Sequence, residues 1–260
     1  MPAVVRSSLR QVDDGEFSDA AYLVMGHLFD IHRDFGRFFD EKIYKQELAR
    51  RLPGIELEVP IEVSFDSFRT TYYIDIVYSG SAPFELKATE HLSGRHRAQV
   101  LNYLLLCELE HAKLVNVRPS AVEHEFVNTT LKTSDRTKFK THSLGWIELG
   151  EKNLREWFSA LLSDLGTGLT MSLYVEALTQ HLGGRQQVVQ PIEIVSAGHV
   201  IGWQPFRLVQ TDVAFKITTI SRDLPGFEAH ARRMLAHTRL TAIQWINVDL
   251  DEVLFKTLQK

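Results

Sequence analysis

The spacing of scaffold residues repeats between the two halves of the chain, so the fold must accommodate one unit built twice. Tyr44, Leu48 and Leu52 recur 130 residues later as Tyr174, Leu178 and Leu182, and Gly36 recurs as Gly166. After one inserted residue the offset becomes 131. At that offset Pro60-Ile61-Glu62 meets Pro191-Ile192-Glu193, Phe84 meets Phe215, Leu104 meets Leu235, and Asn116-Val117 meets Asn247-Val248. Self-similarity at a fixed offset is the mark of a repeated unit. A length of 260 residues gives room for two domains of ordinary size.

Within the first half the most informative stretch is Tyr72 to Lys87. Two β-rich runs flank Ser79-Gly80-Ser81-Ala82-Pro83, turn formers that predict an antiparallel hairpin. With the turn near Gly80, Asp75 faces Glu85. Side chains directly opposite one another lie about 5 Å apart, and like charges there destabilise the sheet, so the pair needs a compensating cation. Phe84, Leu86 and Ala88 alternate with Glu85 and Lys87, which sends the apolar set to the core and leaves Glu85 and Lys87 on the other face. Two carboxylates and an ammonium converge, the groups that hold a hard divalent ion beside a phosphate. An edge-strand Asp75 with an ordinary surface row of Glu85 and Lys87 is the plainer alternative.

The flanking segments supply a scaffold. Ser18 predicts the cap of a helix over 20–36, with Leu23, Val24, Leu28 and Ile31 near helical spacing and Gly36 as its stop. A second helix is expected over 37–52, with Ile43, Leu48 and Leu52 on one side and Glu41 and Tyr44 three apart on a shared face. IELEVPIEVSF alternates as a strand in which Pro60 marks an edge or a bulge. Beyond the hairpin, Ser93-Gly94 opens a helix with apolar Ala98, Leu101, Leu104 and Leu105, and with Gln99 and Tyr103 four apart on one stripe. HAKLVNVRP then reads as a buried strand. Helix, three strands, helix, strand is the order of an α/β sandwich.

Composition narrows the function. Apolar content of 44% and charged content of 24% are those of a packed globular protein. The single cysteine, Cys107, excludes an internal disulfide and a cysteine zinc cage, and its apolar neighbours place it in the core. A net charge of -4 provides no global field for polyanions, so any nucleic-acid contact must be local. No run of about 18 apolar residues occurs, and MPAVVRSSLRQVDDGEF holds no stretch of signal-peptide character, so a soluble, cytoplasmic protein is expected. Arg95, His96 and Arg97, at the start of the Gln99 helix, are candidates to grip phosphates, with a solvated first turn as the alternative. His32, His91 and His96 form no ligand set by spacing, and no zinc is assigned.

FGRFFDEKIYKQEL, the ten-residue step from Asp75 to Glu85, FELKA and AQVLNYLL together resemble the GxxExxY protein family, in the RecB-like branch of the PD-(D/E)XK nuclease superfamily, over roughly 20–131. The namesake glycine of the family is Phe38 here, while Glu41 and Tyr44 hold their places. The resemblance implies an α/β architecture of two tandem PD-(D/E)XK-like domains, each a central mixed sheet flanked by helices. The first, 1–131, carries the intact motif set; 132–144 is a linker; 145–260 is a degenerate copy. Glu41, Asp75 and Glu85 would then hold magnesium or manganese, and Lys87 would position or polarise the attacking water and the phosphate. Gln99 and Tyr103 would supply neutral hydrogen bonds to the site or the nucleic-acid backbone. Tyr44, Arg95, His96 and Arg97 would contact nucleic acid. The implied activity is hydrolysis of DNA phosphodiesters. A non-catalytic nucleic-acid-binding or assembly protein on the same fold is the alternative, and a non-nucleic phosphate substrate stays open.

The second half keeps the scaffold and not the chemistry. NLREWFSALLSDLG places Leu154, Trp157, Phe158, Leu161, Leu162 and Leu165 on a helical period behind Asn153 and Glu156. Glu41 corresponds to Met171, Asp75 to Phe206, Glu85 to Lys216, Lys87 to Thr218, Gln99 to His230 and Tyr103 to Met234, while Gly168 restores the glycine that Phe38 lacks. Such a set cannot chelate magnesium, which requires oxygen ligands. The stretch LKTSDRTKFKTHS, basic and without apolar period, reads as a connection. Two related folds in one chain imply an intramolecular pseudo-dimer, with a homo-oligomer also open. The second copy is then support by packing or, through arginines such as Arg207 and Arg232, a nucleic-acid surface.

Overall fold

The computed structural model describes residues 4–260; residues 1–3, the start of the expected first domain, lie outside the described residues. Two compact units are present, one of residues 4–64 and 69–133, the other of 65–68 and 134–260.

The first unit runs β1 (Val4–Arg6), α1 (Asp14–Phe35), α2 (Glu41–Arg51), β2 (Ile55–Phe65), β3 (Phe68–Tyr78), β4 (Ala82–Lys87), α3 (Gly94–Cys107), β5 (His111–Asn116) and β6 (Glu123–Asn128). Its mixed sheet has the order β1-β2-β3-β4-β5-β6. β4 and β5 are parallel because α3 carries the chain between them; β3–β4 and β5–β6 are antiparallel. The apolar stripe of α1, Phe17, Ala21, Val24, Leu28 and Ile31, packs in one core with Tyr44 and Leu48 of α2 and with Ile76, Phe84, Leu86 and Val115 of the sheet.

Helix boundaries differ from the sequence expectation in two places. α1 is capped by Asp13, whose carboxylate accepts the Glu16 amide at 2.8 Å, rather than by Ser18. A carboxylate at that end also meets the positive pole of the helix dipole, and the earlier start brings Phe17 into the buried stripe. α2 begins at Glu41, not at Arg37. In the 36–40 connection the chain is held by Tyr44, whose hydroxyl donates to Gly36 O at 2.7 Å, and Ile43, expected inward, is exposed. Gly36 ends α1 as expected, at φ +72°. Among the described residues β1 pairs with residues 62–64 of β2, so Pro60 lies beyond the reach of that neighbour. Cys107 is half-buried rather than in the core proper, with burial pushing its thiol up to about 11.

α4 (Thr133–Arg136) stands at the division. The second unit continues with β7 (Lys140–Ser143), α5 (Leu154–Leu165), α6 (Met171–His181), α7 (Arg185–Val188), β8 (Val189–Ser196), β9 (His199–Gln210), β10 (Val213–Thr218), α8 (Leu224–Ala236), β11 (Ala242–Val248) and β12 (Glu252–Gln259). Its mixed sheet has the order β7-β12-β11-β10-β9-β8. The segment 132–144, expected as a linker, is built into the fold. β7 pairs with β12 in parallel, and Arg136 is buried with Nη1 donating to Leu165 O (2.9 Å) and Thr167 O (2.7 Å). Its basic composition reads as solvated in the sequence, yet carbonyls at the end of α5 provide the polar partners that let a guanidinium be buried. Gly166 is required there: at φ +78°, a Cβ on it would lie 2.8 Å from that of Arg136.

The two units share side-chain detail at the offset read from the sequence. Parallel β4–β5 pairs Phe84 with Lys113 through Lys87 with Asn116, and β10–β11 pairs Phe215 with Gln244 through Thr218 with Asn247. Asn116 accepts the Thr89 amide and donates to the Thr89 carbonyl (3.1 and 2.8 Å); Asn247 does the same with Ile220 (2.8 and 2.9 Å). Tyr174 donates to Gly166 O at 2.7 Å, as Tyr44 does to Gly36 O. The short edge strand differs, since β1 flanks β2 whereas β7 flanks β12. Among the described residues no helix is long and apolar enough to cross a membrane.

Candidate functional site

The β3–β4 ladder pairs Tyr78 with Ala82, Val77 with Pro83 and Ile76 with Phe84. One step further the carboxylate of Asp75 takes over, its Oδ2 accepting the Leu86 amide at 3.0 Å beside Glu85. Both acids are buried, Glu85 to 2% exposure. Like charges opposed at this depth need a cation, and the structure supplies two. Lys87 Nζ lies 2.5 Å from Glu85 Oε1 and 3.9 Å from Asp75 Oδ2. Lys45 of α2, itself only 7% exposed, donates to Asp75 Oδ1 at 2.8 Å, stands 3.3 Å from Glu41 Oε1 one turn earlier on its helix, and bonds Glu58 of β2.

Lys45 and Glu58 are the participants that the sequence reading missed. The Glu41–Lys45 spacing of four was visible, but a lysine in that pattern normally sits on a solvated helix face. Only the fold shows that Asp75 lies behind it. Glu58 carries its own mark, a left-handed φ of +52° inside a strand, which a non-glycine residue adopts at a cost.

Four carboxyl groups, Glu41, Glu58, Asp75 and Glu85, face two ammonium groups, a balance of two uncompensated negative charges when all of them are ionised. Burial above all, then the charge of Asp75, drives the Glu85 carboxyl up to about 7 despite the opposing pull of Lys87. Burial and Asp75 also raise Glu41. Burial would lower both lysines, but hydrogen bonds and charge from the carboxylates more than offset it, so both hold their protons more tightly than a free lysine. Tyr103, raised to about 12 by burial and by the charge of Glu85, stays neutral. Gln99 Nε2 donates to its oxygen at 2.7 Å, which leaves the phenol proton for another acceptor.

Glu41, Asp75, Glu85, Lys87, Gln99 and Tyr103 thus fall in one neighbourhood of the first unit. Glu41 and Asp75 share one ammonium and Asp75 and Glu85 share the other, so neither pair of oxygens is separated by more than two salt-bridge lengths. The residues expected at nucleic acid, Tyr44, Arg95, His96 and Arg97, fare differently. Tyr44 is wholly buried and committed to Gly36, so it offers no surface to a ligand, a correction of that expectation. Arg97 forks onto Glu125 at 2.5 and 3.1 Å. His96 accepts the Ser93 amide on Nδ1 at 3.2 Å, and burial followed by the charge of Lys87 lowers its pKa. Arg95 is exposed.

The donor chemistry fits a hard divalent cation. Glu85 Oε2 is buried and without a hydrogen-bond partner among the described residues, and such an orphaned acceptor is uncommon without a role. Together with the two uncompensated charges it suits an ion that prefers carboxylate oxygen. Among the described residues, however, no three His, Cys, Asp or Glu side chains form a ready-made metal cluster, and Lys45 engages three of the four acids. In the second unit the corresponding positions carry no acid. Phe206 is buried, Met171, Lys216 and His230 are exposed, and Thr218 is spent on Asn247 Oδ1 (2.7 Å) and Trp245 Nε1 (2.8 Å).

Residues 18–128 match the family model of the PD-(D/E)XK nuclease superfamily. The two mixed six-stranded sheets flanked by helices are consistent with two domains of that kind. No curated protein matches the chain. A solved structure described as "Crystal structure of SSO0001" is similar over 36% of this chain at 22% identity, with a TM-score of 0.31, and the match spans 52% of that chain, about half its length.

Proposed function

We propose that the first unit is a divalent-metal-dependent nuclease that hydrolyses DNA phosphodiesters, of the GxxExxY kind within the RecB-like branch, and that the second unit is a duplicate that has lost the site. The observation that carries this reading is the orphaned Glu85 Oε2 inside a doubly negative carboxylate cluster, within the segment that matches a nuclease superfamily. Glu41, Asp75 and Glu85 would hold Mg²⁺ or Mn²⁺. When bound, the ion lowers the pKa of water and offsets charge growing on the phosphate.

The chain's own groups do the remaining work. Lys87, held 2.5 Å from Glu85, keeps its proton and presents a point charge to a phosphate oxygen. Tyr103, whose oxygen is already occupied by Gln99, donates its phenol proton. Lys45 fixes Glu41 and Asp75 relative to one another. Arg95, exposed at the start of α3, is the member of its basic triplet available to a backbone phosphate. The duplication is supported by the shared β4–β5 and β10–β11 registers and the paired asparagine clamps.

Purified protein with manganese should cut a labelled DNA panel, while Asp75→Ala and Lys87→Ala should not; equal cutting by all three overturns the assignment. One observation favours a non-catalytic scaffold instead, namely that Lys45 already supplies a cation to the carboxylates. That reading expects no rise in melting temperature on adding magnesium.

A further inference from the structure

In the second unit the place that corresponds to Glu85 and Tyr103 is open. A cavity of about 240 Å³ lies among β9, β10 and α8, whereas the matching space beside Glu85 and Tyr103 in the first unit is about 10 Å³. Phe206, Phe227 and Met234 wall it, and Arg207, Lys216 and His230 line it as well. Phe227 is drawn onto Trp245, with ring centroids 4.5 Å apart. No carboxylate lines the cavity. Arg207 and Lys216 are exposed, and among the described residues neither side chain has an ion-pair or hydrogen-bond partner. Aromatic walls next to two unpaired cations select a ligand that is flat and apolar at one end and anionic at the other. The volume lies somewhat below the roughly 300 Å³ at which small-molecule sites begin, so it suits one base, with the phosphate at the exposed mouth where Arg207 and Lys216 stand.

We propose that this cavity binds a single nucleotide, with the base against Phe206 and Phe227 and the phosphate on Arg207 and Lys216. The site contains no acid and calls for no metal, so it stands apart from the nuclease reading of the first unit. The free nucleotide and the phosphorylated end of a strand present the same chemistry.

Calorimetry on the full chain in EDTA separates the components, using deoxyadenosine monophosphate, deoxyadenosine, inorganic phosphate and a 5′-phosphorylated trinucleotide as probes. The monophosphate should bind at least about tenfold more tightly than either deoxyadenosine or phosphate alone, a difference of one decade in Kd. Lys216→Ala and Arg207→Ala, both on exposed side chains, should weaken it, Met234→Trp should block it by filling the cavity, and Asp75→Ala should leave it unchanged. A trinucleotide that binds more tightly than the monophosphate supports the site with a strand end as occupant, and a weaker one supports it with the free nucleotide. Absence of binding, phosphate as tight as the monophosphate, or full affinity in Lys216→Ala overturns the proposal.

Discussion

Replacing Lys45 by methionine keeps the apolar stem and deletes the ammonium that three carboxylates share. Asp75 Oδ1, buried, loses a 2.8 Å partner, while Glu41 and Glu58 retain access to water. Breaking a buried ion pair from one side costs about 3–5 kcal/mol, and the two wetter acids place this case near 3. At about 4 °C per kcal/mol for a unit between the small and the large size classes, the transition of the first unit should fall by about 12 °C in EDTA. The cluster then carries three uncompensated negative charges instead of two, and a divalent ion no longer competes with Lys45. An ion present at 100 times its Kd stabilises by about 2.7 kcal/mol, enough to return most of the loss. Thermal melts followed by circular dichroism, in EDTA and in magnesium, should show a larger magnesium-dependent rise in Lys45→Met than in the parent chain. Coincident melts in EDTA, or equal rises in magnesium, would show that Lys45 does not hold these carboxylates together.

The remaining expectations concern the same scaffold. Glu85 sits at about 7 in the folded chain against an ordinary 4.5, so its contribution to stability is fully present below that ordinary value and is lost as pH rises through 7. Glu85→Gln should therefore raise the melting temperature in EDTA at pH 8, with the gain shrinking toward pH 4.5; a gain independent of pH contradicts the burial argument. Tyr44→Phe and Tyr174→Phe each delete a 2.7 Å bond to a glycine carbonyl and the oxygen that accepts a backbone amide, of Phe39 and of Leu169, and each should cost about 1 kcal/mol by chemical denaturation. Arg136→Met strands the Leu165 and Thr167 carbonyls and should lower the transition of the second unit and leave that of the first in place, as two fluorescence-resolved melts would show.

What the sequence exposed and what it hid follow from one distinction. Alternation in β4 and the turn formers before it are local, so the Asp75–Glu85 juxtaposition could be read from spacing alone. So could the second unit, because Asn116 and Asn247 or Tyr44 and Tyr174 repeat as letters. Lys45 could not be read, since its role depends on which strand lies behind α2, and a buried lysine looks in sequence like a solvated one. Arg136 was hidden for the same reason. β1 and β7, three and four residues long, are too short to show any period. The cap at Asp13 was legible in principle: beginning the apolar count at Phe17 rather than Leu23 extends the stripe by a turn and leaves Ser18 inside the helix.

The Lys45 knot ties together residues from three stretches that are remote along the chain, at 41–45, at 58 and at 75. No partial assembly can satisfy it. An intermediate with its hairpin formed and α2 still undocked leaves Asp75 without its Lys45 partner and leaves Glu41 in water, its carboxyl not yet raised by burial and by the charge of Asp75. The proton affinity of this cluster is therefore a gauge of completion for the first unit, and an NMR titration of its carboxyls would report whether folding has finished as directly as it reports on chemistry.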